Sequence, residues 1–263
     1  MNIKISKNPN IFYLIHSKKG PKELKLIAEN LTKKHLDILF FENNTWKRLE
    51  SKIDQKIFLK FRASFNLLLV SNKEELASQK AFLSVWKQYF NRNVKVIKKI
   101  LEIEKRLTDT KNKKILNTDI FLVIKHDKSE LGAWFSYSKN KKFIVIEIPI
   151  DHMPKNEDLF PCAILLHEFF HLLIKENKEL WKTVYALRKE MPIFEELLIS
   201  SFMPEGYLSQ AYLGTEALKY NSEPKSLVDQ RRFIANKMFD YAKNYVENNK
   251  KIDKKYLNKL MQF

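Results

Sequence analysis

The stretch Phe160-Pro161-Cys162-Ala163-Ile164-Leu165-Leu166-His167-Glu168-Phe169-Phe170-His171-Leu172-Leu173-Ile174-Lys175 decides how this sequence is read. It is apolar nearly throughout, which predicts a buried helix from about Phe160 to Lys175. Pro161 suits the first turn, where its missing N–H costs nothing. His167 and His171 stand four residues apart, so both imidazoles lie on one helix face and reach one point. Glu168 projects about 100° round the helix from His167. Such a group in an apolar helix costs free energy unless something pairs with it. A zinc ion is the partner that the His-Glu-x-x-His spacing implies, with His167 and His171 as ligands and Glu168 facing the water that zinc activates.

A catalytic zinc site takes three protein ligands and keeps one position open. No further histidine follows His171 in the next segments. The spacing predicts a second helix from about Lys178 to Lys189. Pro192 restarts a third through about Phe202, and Pro204-Glu205-Gly206 ends it. That third helix carries Glu195 and Glu196 within Ile193-Phe194-Glu195-Glu196-Leu197-Leu198-Ile199, and either carboxylate is a candidate third ligand.

The motif His167-Glu168-x-x-His171, followed by a glutamate on a later helix, resembles the gluzincin metallopeptidases, of which thermolysin is the type case. The resemblance covers about Asp119 to Phe202. It implies a zincin-like α+β fold: a small twisted sheet, an active-site helix behind it and a mostly helical C-terminal subdomain. In that group the ligand glutamate is often followed four residues later by Asp or Ser, which buttresses a ligand histidine. Glu196 has Ser200 at that offset and Glu195 has Ile199, so the resemblance selects Glu196. Two departures stand out: Glu195 occupies a position where the group often has Asn, and Ser200 replaces the commoner Asp. The implied activity is peptide-bond hydrolysis, with zinc held by His167, His171 and Glu196 and with Glu168 as general base. Tyr185 and Tyr207 are the candidate oxyanion donors that the group's mechanism asks for.

Upstream, Asp119–Lys125 holds the strand signal Ile-Phe-Leu-Val-Ile. Gly132–Tyr137 and Phe143–Ile150 flank a polar turn and predict a hairpin. In the resemblance this hairpin supplies the strand that binds substrate in extended form, with Gly132, Ala133 and Trp134 as contacts. The polar segment Thr108–Asn117 marks the expected boundary between residues 1–117, mixed and mostly helical, and residues 118–263, which carry the chemistry. Within the first part, Ile11–His16 reads as a short strand and Pro21–Lys33 as a helix. Ile57–Val70 fits strand or buried helix. Lys73–Leu107 reads as one long helix, and Ser226–Leu260 as a helical tail. His152 reads as structural. Arg231-Arg232 could receive a substrate carboxylate, but adjacent residues on a helix diverge, and a solvated face is the simpler reading.

The chain has 263 residues, enough for a core without staples. Its one cysteine, Cys162, excludes a disulfide framework and a cysteine-based zinc finger. No run reaches the ~18 apolar residues of a membrane span, and no signal-peptide pattern opens the chain, which leads us to expect a cytoplasmic location. The net charge is +17, but 41 of the 48 basic residues are Lys and they are scattered. Specific phosphate and base readout favours Arg. Nucleic acid is therefore a disfavoured partner, and a peptide or protein substrate the expected one. Two rival readings share the sequence. One is a basic nucleic-acid-binding or scaffold protein whose motif is inactive or accidental. The other is a regulatory protease with a single protein target.

Overall fold

The computed structural model describes residues 1–5, 47, 50–51, 54–112, 115, 117–125, 130–137, 142–215 and 226–263. The expected strand at Ile11–His16 and helix at Pro21–Lys33 lie outside these residues. The fold is α+β. Its elements, in chain order among the described residues, are β1 (Asn2–Ile5), α1 (Gln55–Ser71), α2 (Lys73–Arg92), α3 (Val94–Leu107), β2 (Asp119–Lys125), β3 (Gly132–Tyr137), β4 (Lys142–Pro149), α4 (Phe160–Glu176), α5 (Lys178–Glu190), α6 (Phe194–Ser200), α7 (Tyr207–Leu213), α8 (Leu227–Lys237), α9 (Phe239–Glu247) and α10 (Lys254–Leu260). Among the described residues no helix is long and apolar enough to cross a membrane.

The chain forms two compact units that interleave along the sequence. One comprises Asn2–Tyr89 and Asp119–Pro154; the other comprises Phe90–Thr118 and Lys155–Phe263, together with Met1. The expected boundary at 117/118 falls within one residue of the step from α3's unit to the sheet, yet the residues before it belong to both units.

The first unit carries a four-stranded mixed sheet in the order β1-β2-β4-β3. β1, β2 and β4 run parallel, and β3 closes one edge antiparallel to β4 with Trp134 opposite Val145. The interior strands β2 and β4 are buried along nearly their whole length, which is why they read as continuous β-branched and aromatic runs rather than as alternation. Phe121, Val123, Phe143 and Val145 form an apolar cluster, and Trp134 packs against it. The ambiguous stretch Ile57–Val70 is helical, as part of α1. His152 is structural: its carbonyl accepts from Trp86 Nε1 at 2.9 Å and its ring stacks on the same indole.

In the second unit α3 packs against α4, α7 and α9. The expected single helix over Lys73–Leu107 is two helices, because the chain leaves helical hydrogen bonding at Asn93, the residue before α3. Asn is a poor interior helix residue, and Asn91-Arg92-Asn93 places two of them at the break. α3 presents Ile97, Ile100, Leu101, Ile103 and Leu107 to the core at helical spacing. α4 is buried on all sides from Pro161 to Ile174 except at Ile164. One residue, Asn177, joins these pieces. Its backbone N–H ends α4 on Leu173, its side-chain oxygen caps α5 by accepting from Glu179 and Leu180, and its amide donates to the Thr108 carbonyl at 2.7 Å. Thr110 adds a buried hydrogen bond from its hydroxyl to the Leu173 carbonyl.

Candidate metal centre

The second unit brings His167 and His171 of α4 together with Glu196 of α6, a group whose ligand atoms all lie within 4.8 Å of one another. His167 Nε2 is 3.2 Å from His171 Nε2. Glu196 reaches both rings, with Oε2 3.3 Å from His167 Nε2 and Oε1 3.1 Å from His171 Nε2. A tetrahedral cation with ligand bonds of ~2.0–2.2 Å sets about 3.3–3.6 Å between donor atoms. The observed separations are within a few tenths of an ångström of that, so the three residues fit one ion.

The outer ring nitrogens fix the tautomers. His167 Nδ1 lies 3.1 Å from the Met203 carbonyl, which only accepts, so Nδ1 carries a hydrogen, and in a metal-bound ring Nε2 is the nitrogen that offers its lone pair. His171 Nδ1 donates to Glu195 Oε1 at 2.7 Å, so Nε2 is likewise the nitrogen turned towards an ion, which would take the place of any proton there. Arg188 of α5 then holds the other oxygen of Glu195 at 2.9 Å. Neighbouring glutamates on α6 thus take the two sides of one imidazole: Glu195, almost fully buried, grips Nδ1, and the more open Glu196 meets Nε2. Ser200 does not buttress a histidine as the resemblance leads one to expect. Its hydroxyl accepts from Arg231 Nε at 2.9 Å, and the buttressing falls to Glu195 and the Met203 carbonyl. Because α6 ends at Ser200 and the chain turns back through Ser201–Gly206, it is the Met203 backbone that faces α4. A Cβ at position 206 would collide with the Ser201 carbonyl and the Phe202 amide, so only glycine permits that turn.

Charge follows this geometry. Burial opposes a charged His171, but hydrogen bonds to Glu195 and Glu196 and the charges of Glu196 and Glu168 outweigh it and push its pKa up to about 9. Burial acts to raise Glu196, yet the two histidines hold its carboxyl well below the usual range. Glu168 is buried, and desolvation lifts its pKa above the ordinary carboxylate value; the charges of His167, His171 and Arg231 pull the other way, and Glu196 adds to the rise.

The remaining candidates sit elsewhere. Tyr185 stands 54% exposed on α5, its ring against Trp181. Tyr207 donates its hydroxyl to Glu247 at 2.8 Å, and burial together with that carboxylate pushes its pKa up to about 12. Gly132, Ala133 and Trp134 lie on the edge strand β3 of the other unit, where the Trp134 indole donates to Glu147 at 2.8 Å. The residues that sequence reasoning passed over are Arg188, Met203 and the orienting role of Glu195. A buried acid beside a candidate ligand was the available signal for Glu195; a backbone carbonyl leaves none. Comparison with family models, with curated proteins and with solved structures finds no match for this chain.

Proposed function

We propose that the protein is a zinc-dependent metallopeptidase of gluzincin type. One observation carries the reading: two histidines and a glutamate from separate helices converge on one point, each histidine oriented by its outer nitrogen, with a buried glutamate next to the first ligand. Zinc bound there supplies the Lewis acid that polarises a scissile carbonyl and acidifies the attacking water. The chain's own part is orientation and proton handling. Met203 and Glu195 lock the ring planes so that both Nε2 atoms converge beside Glu196 on one point. Glu168 takes the water's proton and delivers it to the leaving amine, a role that a carboxylate with a raised pKa suits because it holds the proton between the two transfers.

Metal analysis of the purified protein should give one zinc per chain, lost in His167→Ala and in His171→Ala. Glu168→Gln should retain zinc, because Glu168 is not a ligand, and should lose ~10²–10⁴-fold in peptide turnover. A responsive substrate comes first, from screening denatured proteins and mixed peptides with the wild type. Full zinc retention by both histidine variants, or unchanged turnover by a zinc-loaded Glu168→Gln protein, refutes the assignment.

A further inference from the structure

A pocket of about 350 Å³ opens in the second unit, its walls including Asp158, Phe160, Pro204, Glu205, Thr215 and Arg232. Two of its donors are unsatisfied. Arg232 Nε and Thr215 Oγ1 are both buried and, among the described residues, have no hydrogen-bond partner. The acids in the wall are already engaged. Glu205 pairs with Arg231 at 3.5 Å, and Asp158 Oδ1 accepts from the Phe160 amide at 2.9 Å at the start of α4. The adjacent arginines of α8 thus diverge: Arg231 turns to Ser200 and Glu205, while Arg232 lines the pocket. A buried guanidinium N–H without a partner is costly, a cost that an anion hydrogen-bonded to it would offset. Two donors in the wall of one pocket match the two oxygens of a carboxylate. Phe160, 43% exposed, offers an apolar surface for the stem that carries it.

The pocket shares α4 and the turn after α6 with the candidate metal centre. Phe160 and His167 are seven residues apart on α4, two turns and therefore one face, about 10 Å along the axis. On the other wall Pro204 directly follows Met203, whose carbonyl holds His167. An extended peptide advances about 3.3–3.6 Å per residue, so the distance equals roughly three residues. We infer that this pocket binds a carboxylate of the substrate two or three residues from the bond that is cut, with Arg232 and Thr215 as its donors. That position relative to the cut rests on the peptidase reading; carboxylate binding itself does not. The carboxylate has two possible sources, an acidic side chain or a free C-terminus.

Titration calorimetry on the metal-stripped wild type, with three blocked tetrapeptides, tests the inference and separates the sources. Acetyl-Ala-Ala-Ala-Glu-amide carries only a side-chain carboxylate, acetyl-tetra-alanine acid only a terminal one, and acetyl-tetra-alanine amide neither. At least one acid peptide should bind at least about tenfold more tightly than the amide, the scale of one charge-assisted hydrogen bond. Which peptide shows the gain assigns the source. Arg232→Gln should abolish the gain, Arg232→Lys should keep part of it, and Thr215→Val should reduce it in a protein whose α8 is unaltered. Equal binding of all three peptides, binding of none, or a gain that survives Arg232→Gln in the folded variant overturns the inference. Should the acid peptides bind as expected while the zinc-loaded wild type cuts no peptide, the pocket stands and the peptidase reading falls.

Discussion

Glu195 and Glu196 are adjacent, chemically identical and differently employed. Glu196 meets the Nε2 side of both histidines, whereas Glu195 accepts from the Nδ1 side of His171 and is held by Arg188. On the proposed ligand set, Glu196→Gln removes the charged ligand and should weaken zinc binding most. Glu195→Gln keeps an acceptor for Nδ1–H but loses the charge that raises ligand basicity, a change worth about 10–100-fold in metal affinity. Arg188→Ala should cost only a few-fold, because this side chain is 40% exposed and its ion pair is screened. Competition with a chromogenic chelator measures all three, and a larger loss in the Glu195 variant than in the Glu196 variant would exchange their roles. The motif on α4 was legible because a period of 3.6 places i and i+4 together whatever the rest of the chain does. The division of labour on α6 was not, because spacing gives the angle between two side chains but not which neighbour each one meets. Ser200 shows the limit: its offset from Glu196 matched a buttress, yet the helix ends there and its hydroxyl serves Arg231.

At the scale of elements, the hairpin β3–β4 was readable from two β-branched and aromatic runs about a polar turn, and the helices α4 and α5 from apolar spacing and prolines. α1 was not, because an apolar run without a clear period suits either structure. The α2–α3 break was hidden by apolar positions that keep near-helical spacing through Asn93. α3 also contains a contradiction of the usual pattern. Glu104 sits in its buried stripe with no accessible surface, and among the described residues neither carboxyl oxygen finds a partner. Burial pushes its pKa well above the ordinary 4.5. The folded protein therefore keeps the proton where the unfolded chain has released it. This contribution to stability is intact below about pH 4.5 and falls as pH rises towards the elevated folded value, by up to about 1.4 kcal/mol per pH unit for one proton. Glu104→Gln removes the titration at nearly constant size. Urea midpoints compared between pH 5 and pH 8 should favour the variant increasingly at the higher pH. A difference between the two proteins that stays flat across that range would show that Glu104 is not held protonated.

At the scale of the molecule, the chemistry does not reside in a segment that can be cut out of the sequence. The unit that holds the candidate metal centre takes α3 from the region before residue 118 and every helix from α4 onwards from after residue 154. α3 contributes Ile97, Ile100, Leu101, Ile103 and Leu107 to its core. Each fully buried aliphatic side chain contributes about 1.5–3 kcal/mol, so five of them rival the whole net stability of a domain, about 5–15 kcal/mol. Three polar ties come with them: Thr110 to the Leu173 carbonyl, Asn177 to the Thr108 carbonyl, and the Ile252 amide to the Leu107 carbonyl at 2.7 Å. The first two meet the C-terminal end of α4, a turn or so beyond His171. A chain truncated to residues 118–263 retains His167, Glu168, His171 and Glu196 but leaves the face of α4 that packs on α3 open to water. It should therefore lose cooperative unfolding and bind zinc weakly. A chain beginning at Phe90, which restores α3, should recover part of both. Circular dichroism melts and zinc content, measured on the two truncated chains and on the full protein, give the comparison. A sharp unfolding transition and a full equivalent of tightly bound zinc in residues 118–263 alone would mean that α3 is dispensable and that the sequence does divide where its composition changes.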